Sequence, residues 1–249
     1  MKNIKFKILS NIKIADRTYE MVLSDMGNGH GITKGGQFVN IKLDGFFLRR
    51  PISVCSWDES SITLIYKTVG AGTEAMSHMP EGMTLDILSP LGNGFNIDDE
   101  AVGEKPVLIG GGAGVPPMYG LCRLLLKQGK KPTVILGFNS ESECFYMDKF
   151  KALGADVIIA TADGSIGIRG FVTDALQDVD CTYIFACGPE AMLRAIDDTA
   201  PKATEGQMSF EERMGCGFGA CMGCSCQTKY GSKRICKDGP VLKRSEIIW

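Results

Sequence analysis

Val107-Leu108-Ile109-Gly110-Gly111-Gly112-Ala113-Gly114-Val115-Pro116-Pro117-Met118 is where the chain changes character. The apolar run from Pro106 to Gly110 reads as a short buried strand, and glycines end it. From Pro117 to Gln128 the apolar residues recur at helical spacing, with Met118, Leu121, Cys122 and Leu125 on one face and Gly129 as the stop. A strand that turns directly into a helix is the unit of a parallel sheet, because parallel strands need a crossover between them. The same alternation continues downstream: strand Thr133 to Phe138, helix Glu143 to Leu153, strand Asp156 to Ala160, helix Gly170 to Gln177 and strand Tyr183 to Cys187. These elements predict a Rossmann-like parallel α/β domain over residues 100–206. The glycines let a backbone approach a pyrophosphate at a helix N-terminus, and proline at the first helical position lacks an N–H that nothing would pair. Val115 stands where G-x-G-x-x-G would need its last glycine, so read alone the cluster could equally be a tight structural turn.

Upstream the rhythm has a period of two. The runs Ile4 to Ile8, Tyr19 to Leu23, Gln37 to Leu43, Ile62 to Lys67 and Thr84 to Leu88 are separated by glycine-rich turns, with no helix of more than a few turns. Residues 1–99 therefore read as an antiparallel β-barrel, with a sandwich as the other all-β solution. The 249 residues are 44% hydrophobic and 22% charged, with a formal net charge of −2. That balance gives no footprint for nucleic acid or an anionic membrane. No apolar run is long enough to span a bilayer, and the N-terminal residues alternate as a strand does, so a cytoplasmic protein is expected.

Half of the ten cysteines fall between positions 216 and 236. Clustered thiols in a chain without a secretion signal favour metal or redox chemistry over disulfides. Cys216, Cys221, Cys224 and Cys236 follow C-x4-C-x2-C, with the fourth cysteine after eleven intervening residues. That is the plant-type [2Fe-2S] spacing, in which glycines free the loop to wrap the cluster. A zinc ribbon pairs two C-x2-C knuckles, and only one is present. Residues 207–249 are thus read as a small [2Fe-2S] domain. Cys226, in Cys224-Ser225-Cys226, is assigned to packing, on the expectation that alternating side chains turn it away from the cluster.

Other short motifs gain meaning from company. Cys187-Gly188-Pro189 again ends a strand and enters a helix; alone it would be a helix cap with a buried thiol. In a parallel sheet it shares the carboxyl edge with the glycine cluster, where ligands bind. Phe47-Leu48-Arg49-Arg50-Pro51-Ile52-Ser53 sets two arginines in an apolar strand, and a phosphate is one partner for such a cation, solvent another. Lys67-Thr68-Val69-Gly70-Ala71-Gly72-Thr73 offers small residues and a hydroxyl. His30 and His78 have no carboxylate motif nearby and are expected at the surface.

Arg50-Pro51-Ile52-Ser53, Gly72-Thr73, Leu91-Gly92-Asn93-Gly94-Phe95, Gly110 to Pro117 and Cys187-Gly188-Pro189 occur in the order of the ferredoxin reductase superfamily. With Glu211-Glu212-Arg213-Met214-Gly215-Cys216 and Asp238-Gly239-Pro240-Val241, essentially the full length resembles the electron-transfer subunits of class B dihydroorotate dehydrogenases. The resemblance implies an FAD-binding barrel, an NAD-binding α/β domain and a cluster domain. It implies that Arg50, Pro51, Ile52 and Ser53 line the FAD, with Arg50 on the pyrophosphate and Ser53 near the isoalloxazine. Ile65, Tyr66, Lys67, Thr68 and Val69 would supply backbone contacts, with Gly72 and Thr73 at the phosphates. Gly111, Gly112, Gly114, Cys187, Gly188 and Pro189 would form the nicotinamide-nucleotide site. Ile52 replaces the tyrosine usual in R-x-Y-S, so the aromatic cover of the flavin is absent. The resemblance also implies a catalytic FMN-containing dihydroorotate dehydrogenase subunit as partner, in a heterotetramer of two catalytic and two electron-transfer subunits for pyrimidine synthesis. Much of that contact is expected on the loop Met214 to Gly223. The loop Asn139-Ser140-Glu141-Ser142-Glu143 carries two glutamates and no arginine for a 2′-phosphate, which favours NAD over NADP. A ferredoxin reductase or sulfide dehydrogenase component of the same superfamily is the alternative.

Overall fold

The computed structural model of the chain describes residues 1–249. β1 (Lys2–Ala15), β2 (Thr18–Ser24), β3 (Phe38–Lys42), β4 (Arg50–Trp57), β5 (Ser61–Lys67) and β6 (Thr84–Leu91) close into an antiparallel barrel of order β1-β2-β5-β4-β3-β6. In β1, Ile4, Phe6 and Ile8 are buried while Lys5 and Lys7 face water, the alternation of a strand with one wet face. They meet Met21, Val39, Ile41, Val54, Leu64 and Ile87 in the barrel interior. β1 runs well beyond the predicted Ile4–Ile8 because it serves two neighbours. It pairs with β6 up to Lys7 and with β2 from Lys7 onward, and an irregularity between Ile8 and Ser10 bends it between them. The short helix α1 (Ala71–Ser77) links β5 to β6 and inserts Met76 into the barrel core.

The α/β part comprises β7 (Pro106–Gly111), α2 (Val115–Lys127), β8 (Thr133–Phe138), α3 (Met147–Ala152), β9 (Asp156–Thr161), β10 (Ile168–Arg169), α4 (Val172–Leu176), β11 (Tyr183–Cys187), α5 (Glu190–Thr199) and β12 (Glu205–Ser209). All six strands pair in parallel, in the order β10-β9-β8-β7-β11-β12. β7 and β11, at the centre, are buried at every position, as a strand covered on both faces must be. α2 begins two residues before the predicted Pro117, and both prolines sit in its first turn, where a missing N–H is harmless. α3 is shorter than predicted. Glu141–Glu143 forms its own 3₁₀ turn, and Tyr146 adopts left-handed backbone at φ +67°, which no helix can pass through.

The C-terminal segment is woven into the rest. Its hairpin β13 (Ser225–Thr228) and β14 (Gly231–Arg234) stands apart, but β15 (Val241–Lys243) joins the large sheet antiparallel to β12, a strand that straddles positions 206 and 207. Leu91 to Phe95 and Asp238 to Val241, two motifs without an assigned role in the sequence, clasp one another. Asn93 donates its backbone N–H to the Gly239 carbonyl at 2.7 Å and its side-chain amide to the Val241 carbonyl at 2.8 Å. Arg244 anchors the tail to the end of α5. It pairs with Asp197 and donates to the carbonyls of Ala200, Pro201 and Thr204, satisfying groups that the helix end leaves open. His30 departs from expectation: it is buried, with Nε2 bonded to the Asp58 carbonyl at 2.7 Å and Nδ1 accepting from the Ile32 N–H. His78 is exposed. No helix is long and apolar enough to cross a membrane.

Candidate functional site

Two neighbouring arginines have separate fates. Arg49 is spent on structure: it pairs with Asp86 at 2.6 Å and donates to the backbone carbonyls of Asn40 and Asp86. Burial works against the Asp86 carboxylate, but the Arg49 and Asn3 hydrogen bonds outweigh it and hold its pKa below the usual range. Arg50 has no carboxylate partner. It lies over the Phe46 ring and against Gly72, where a Cβ would come within 2.1 Å of its Nε. A bare glycine thus lets a guanidinium settle on the start of α1, with donors left for an anion. There the Thr73 hydroxyl accepts from the Val69 and Gly70 N–H groups and organises the turn. The sequence-predicted residues Arg50, Gly72 and Thr73 are therefore contiguous. Pro51, Ile52 and Ser53 follow along β4, half-buried, and Ile65 lies where the barrel packs on the α/β core. Tyr66 points into the barrel core, its hydroxyl donating to Asn11 at 2.8 Å, so only its backbone is free to contribute to a site. Thr68 is tied to Arg17, and the Val69 side chain is exposed.

The carboxyl ends of β7, β8 and β11 open a cavity of about 570 Å³ lined by Gly111, Gly112, Phe138, Phe171, Pro189 and Glu211. Gly114, Cys187 and Gly188 do not line it themselves but lie behind the lining, and a Cβ on Gly188 would come 3.4 Å from the Gly111 nitrogen. A Cβ on Gly114 would lie 2.0 Å from the Cys187 carbonyl oxygen, so the two sequence-predicted loops are in backbone contact. Burial, reinforced by Glu211, pushes the Cys187 thiol up to about 12, despite a hydrogen bond from Ser209. The thiol stays neutral and compact beside the cleft. Lys67 reaches the same cavity from the barrel and pairs with Glu143 at 2.9 Å, and Asn139 also donates to Glu143. Ile65, Tyr66 and Lys67 share a narrow cleft with Gly112, so the flavin-side and nucleotide-side residues adjoin.

Glu211 and Phe171 are among the cavity residues that escaped the sequence reading as site residues. Glu211 opens to solvent through the cleft yet is crowded by protein, and that desolvation raises its carboxyl pKa. Phe171 stands at the rim with 69% of its surface exposed, an aromatic face with nothing on it. An apolar residue after Arg169-Gly170, breaking the helical pattern of α4, was the one available hint.

The cysteine loop, residues 210–224, contains no helix or strand. Its sulfurs form two pairs rather than a single cage. Cys221 donates its N–H to the Cys216 sulfur, and Cys216 donates its own to the Cys221 sulfur. The Cys236 N–H donates to the Cys224 sulfur at 3.3 Å. No three thiol, imidazole or carboxylate groups converge on one point as a mononuclear ion needs. Two pairs suit two irons, each with two thiolates. Phe218 and Ala220 also aim N–H groups at the Cys216 sulfur. Partial burial of that thiol opposes ionisation, but the N–H of Cys221 and the others prevail and lower it to about 6. Burial and Cys224 push the Cys236 thiol up to about 12, so that thiol ionises only with a cation to compensate. The donor set fits an iron–sulfur cluster. Cys224 and Cys236 are buried, while Cys221, Phe218 and Met222 are exposed at the other end.

Alternation does not explain Cys226, because residues two apart on a strand share a face. Cys224 precedes β13 and Cys226 lies within it, opposite Lys233 and against a second core of the α/β part, formed by Val107, Ile109, Ile184, Leu193, Met208 and Ile235. Burial, with Glu212 nearby, raises its thiol pKa.

Residues 211–248 match the family model for the iron-sulfur cluster binding domain of dihydroorotate dehydrogenase B, and residues 108–198 that for the oxidoreductase NAD-binding domain. The chain is 40% identical over 261 residues to the electron transfer subunit of dihydroorotate dehydrogenase B (NAD(+)) from a Geobacillus species, covering 100% of this chain and 99% of that one. It is 41% identical over 256 residues to the subunit of that name from Listeria monocytogenes, covering 99% of each. Among solved structures, the NADH-dependent reduced ferredoxin-NADP oxidoreductase superposes with TM-score 0.88 at 28% identity, covering 98% of this chain and 90% of that one. Phthalate dioxygenase reductase shares the fold at TM-score 0.70 and 18% identity, over 93% of this chain and 75% of its own. Matched at that identity along its whole length, the chain belongs to the family of electron-transfer subunits of NAD(+)-dependent dihydroorotate dehydrogenase B.

Proposed function

We propose that this chain relays electrons between NAD+ and a catalytic FMN subunit that oxidises dihydroorotate, in a cytoplasmic complex of two catalytic and two electron-transfer subunits serving pyrimidine synthesis. The observation that carries the reading is contiguity. The Arg50 strand, the cavity beneath Gly111 and Gly112, and the paired cysteines are joined in one body, with Lys67 bridging the first two and Asn40 touching the cysteine loop.

When bound, FAD, a [2Fe-2S] cluster and the nicotinamide supply the chemistry, a two-electron hydride on one side and single electrons on the other. The chain's own groups bind and orient. Arg50 offers a guanidinium with no internal carboxylate to a pyrophosphate, and Gly72 and Thr73 bring backbone up to the same place. Pro51, Ile52 and Ser53, with the backbone from Ile65 to Val69, border the ring system. Gly111, Gly112, Gly114, Cys187, Gly188 and Pro189 receive the nicotinamide nucleotide. Because Cys187 stays protonated, no side chain there competes as a nucleophile. Cys216, Cys221, Cys224 and Cys236 hold the irons.

At the ribose end Glu143 is already neutralised by Lys67, which leaves Glu141 as the exposed carboxylate and still no arginine to meet a 2′-phosphate. NADH is therefore the expected nucleotide, and equal turnover with NADPH would refute that choice.

The test is co-purification with a dihydroorotate-oxidising partner and an assay of dihydroorotate-dependent NAD+ reduction. Activity is expected only with both subunits. A pure chain without flavin absorbance or a cluster signal after reduction would overturn the reading. The 28% likeness to a reduced ferredoxin oxidoreductase keeps one alternative, an NADH-dependent ferredoxin reductase. Ferredoxin reduction by the isolated chain, without any response to the dihydroorotate partner, would select it.

A further inference from the structure

Asn40 sits in the middle of β3, nearly free of solvent, on the outer face of the barrel. Its neighbours on β3, Val39 and Ile41, point into the barrel core, while Phe38 shares its outward face and packs in the second core with Leu91, Cys224 and Cys236. Cross-strand partners share a face, and here the register sets Asn40 beside Pro51 and Phe38 beside Ser53. Asn40 therefore lies on the same side of the sheet as Pro51 and Ser53, two of the four residues of β4 assigned to the flavin.

Its side chain reaches the other centre. The amide Nδ2 donates to the backbone carbonyl of Cys216 at 3.4 Å. The next residue, Gly217, is at φ +79°, and a Cβ there would lie 2.3 Å from that same nitrogen. The loop thus needs glycine at this point for two reasons, its backbone conformation and the amide pressed against it. The Asn40 backbone is equally fixed: its carbonyl accepts from Arg49, whose guanidinium is held by Asp86. Oδ1 of Asn40 is the one buried side-chain polar atom in the chain without a hydrogen-bond partner. A protein seldom keeps an unsatisfied buried acceptor among apolar neighbours without a use for its other end.

Resting on the proposed function, we propose that Asn40 is a positioning residue for electron transfer. Its amide holds the Cys216 peptide against the face of the flavin strand and so fixes the separation and orientation of the two centres. An N–H dipole directed at the peptide of a ligating cysteine also favours the more negative, reduced cluster. Asn40 should therefore raise the cluster's midpoint potential.

The test is Asn40→Leu in the full chain purified with its cofactors. Leucine removes both the donor and the orphaned acceptor while keeping four side-chain heavy atoms branched at Cγ, so a purely structural role for the amide predicts a lower Tm. The expected result is unchanged FAD and iron content with Tm not lowered. The cluster's EPR line shape should alter and its potential move negative, and amide exchange at Phe218 and Ala220 should quicken. Reduction of the cluster after mixing with NADH should slow roughly tenfold, as for other outer-sphere changes. Wild-type potential, EPR spectrum and exchange in Asn40→Leu would overturn the proposal. Should that variant lose its iron, the cycle of Asn40→Ala, Gly217→Ala and their combination decides. Removing the amide makes room for the new methyl, so the double variant should perturb the EPR spectrum less than the two singles summed, and strict additivity would count against the contact. A wild-type chain with no cluster signal at all would instead sink the proposed function.

Discussion

The nucleotide cleft and the cysteine loop are the two proposed sites at which backbone comes up to a ligand, and they are held in opposite ways. The cleft is the end of a sheet. Its glycines follow β7 and its Cys187-Gly188-Pro189 follows β11, two strands buried along their whole length, so the core fixes the loops before any ligand arrives. The cysteine loop has no regular structure from 210 to 224 and leans on a few side chains. Asn40 touches its start, and Arg234, itself bound to Asp238, donates to the Gly219 carbonyl at 3.1 Å. A site at a sheet edge is preorganised by hydrophobic packing; a site in a loop of thiols is completed by the metal it binds.

Removing a proposed metal ligand should separate the two most sharply. Cys224 is buried in the core with Cys236, so Cys224→Ser leaves a hydroxyl where the proposed cluster would need a thiolate to close the second pair. Complete loss of the cluster's EPR signal is expected, with NADH still binding to the cleft by fluorescence titration. Loss of NADH binding as well would mean that the cleft depends on the metal, and the contrast would fail.

Gly114→Ala attacks the other region. The new Cβ would overlap the Cys187 carbonyl, which is backbone at the end of a central strand and cannot swing away. Overpacking of this kind costs about 1–3 kcal/mol. If the loops part to relieve it, the KM for NADH should rise on the order of ten- to a hundredfold, with the cluster's EPR spectrum untouched. An unchanged KM would show that the loop contact does not shape the cleft.

The two regions were also unequally legible. Strands and helices of the α/β part could be read from periodicity because each apolar position there answers to one core. Thr133–Phe138 and Tyr183–Cys187 run as expected. The cysteine spacing pointed to an iron–sulfur domain through chemistry rather than periodicity. What the sequence hid was contact between segments distant in the chain. Asn40 and Cys216 are 176 positions apart, and Arg49 finds Asp86 only because β3 and β6 are neighbours in the barrel. The left-handed backbone at Tyr146 and the burial of His30 are likewise set by tertiary packing, which overrides local preference.

Glu211 lies where the comparison is most finely balanced, at the cleft but five residues from the first cysteine. Desolvation raises its carboxyl pKa above the ordinary glutamate value. A raised acid contributes stability that is fully present below its unfolded pKa and is lost as pH climbs through the folded one. Glu211→Gln should therefore gain Tm over the wild type at pH 7 and lose that advantage near pH 4. The same ionisation bears on the ligand. A carboxylate favours the cationic ring of NAD+ over the neutral ring of NADH, so NAD+ affinity should rise with pH in the wild type and lose that slope in Glu211→Gln. Calorimetric titration with both nucleotides at pH 5, 6 and 8 checks it; parallel pH profiles for the two proteins would remove Glu211 from the cleft's electrostatics.

The smallest expected effect belongs to Cys226, and it tests whether the loop's thiols are a set of four or five. Cys226 lies in β13 with its backbone in the ladder to β14, and its thiol is surrounded by apolar residues and by Glu212. Both surroundings oppose a thiolate, whereas the Cys216 sulfur receives three backbone N–H groups. Burial alone does not decide the point, since Cys236 is buried too and is counted among the four; Cys226 differs in lying within a strand whose ladder to β14 fixes it. Cys226→Ser should thus leave the EPR spectrum and the iron content as they are and change stability by no more than about 1 kcal/mol. If the signal were lost, β13 would have to open for Cys226 to reach the irons, and the cysteine loop would extend into the hairpin whose hydrogen bonds now bound it.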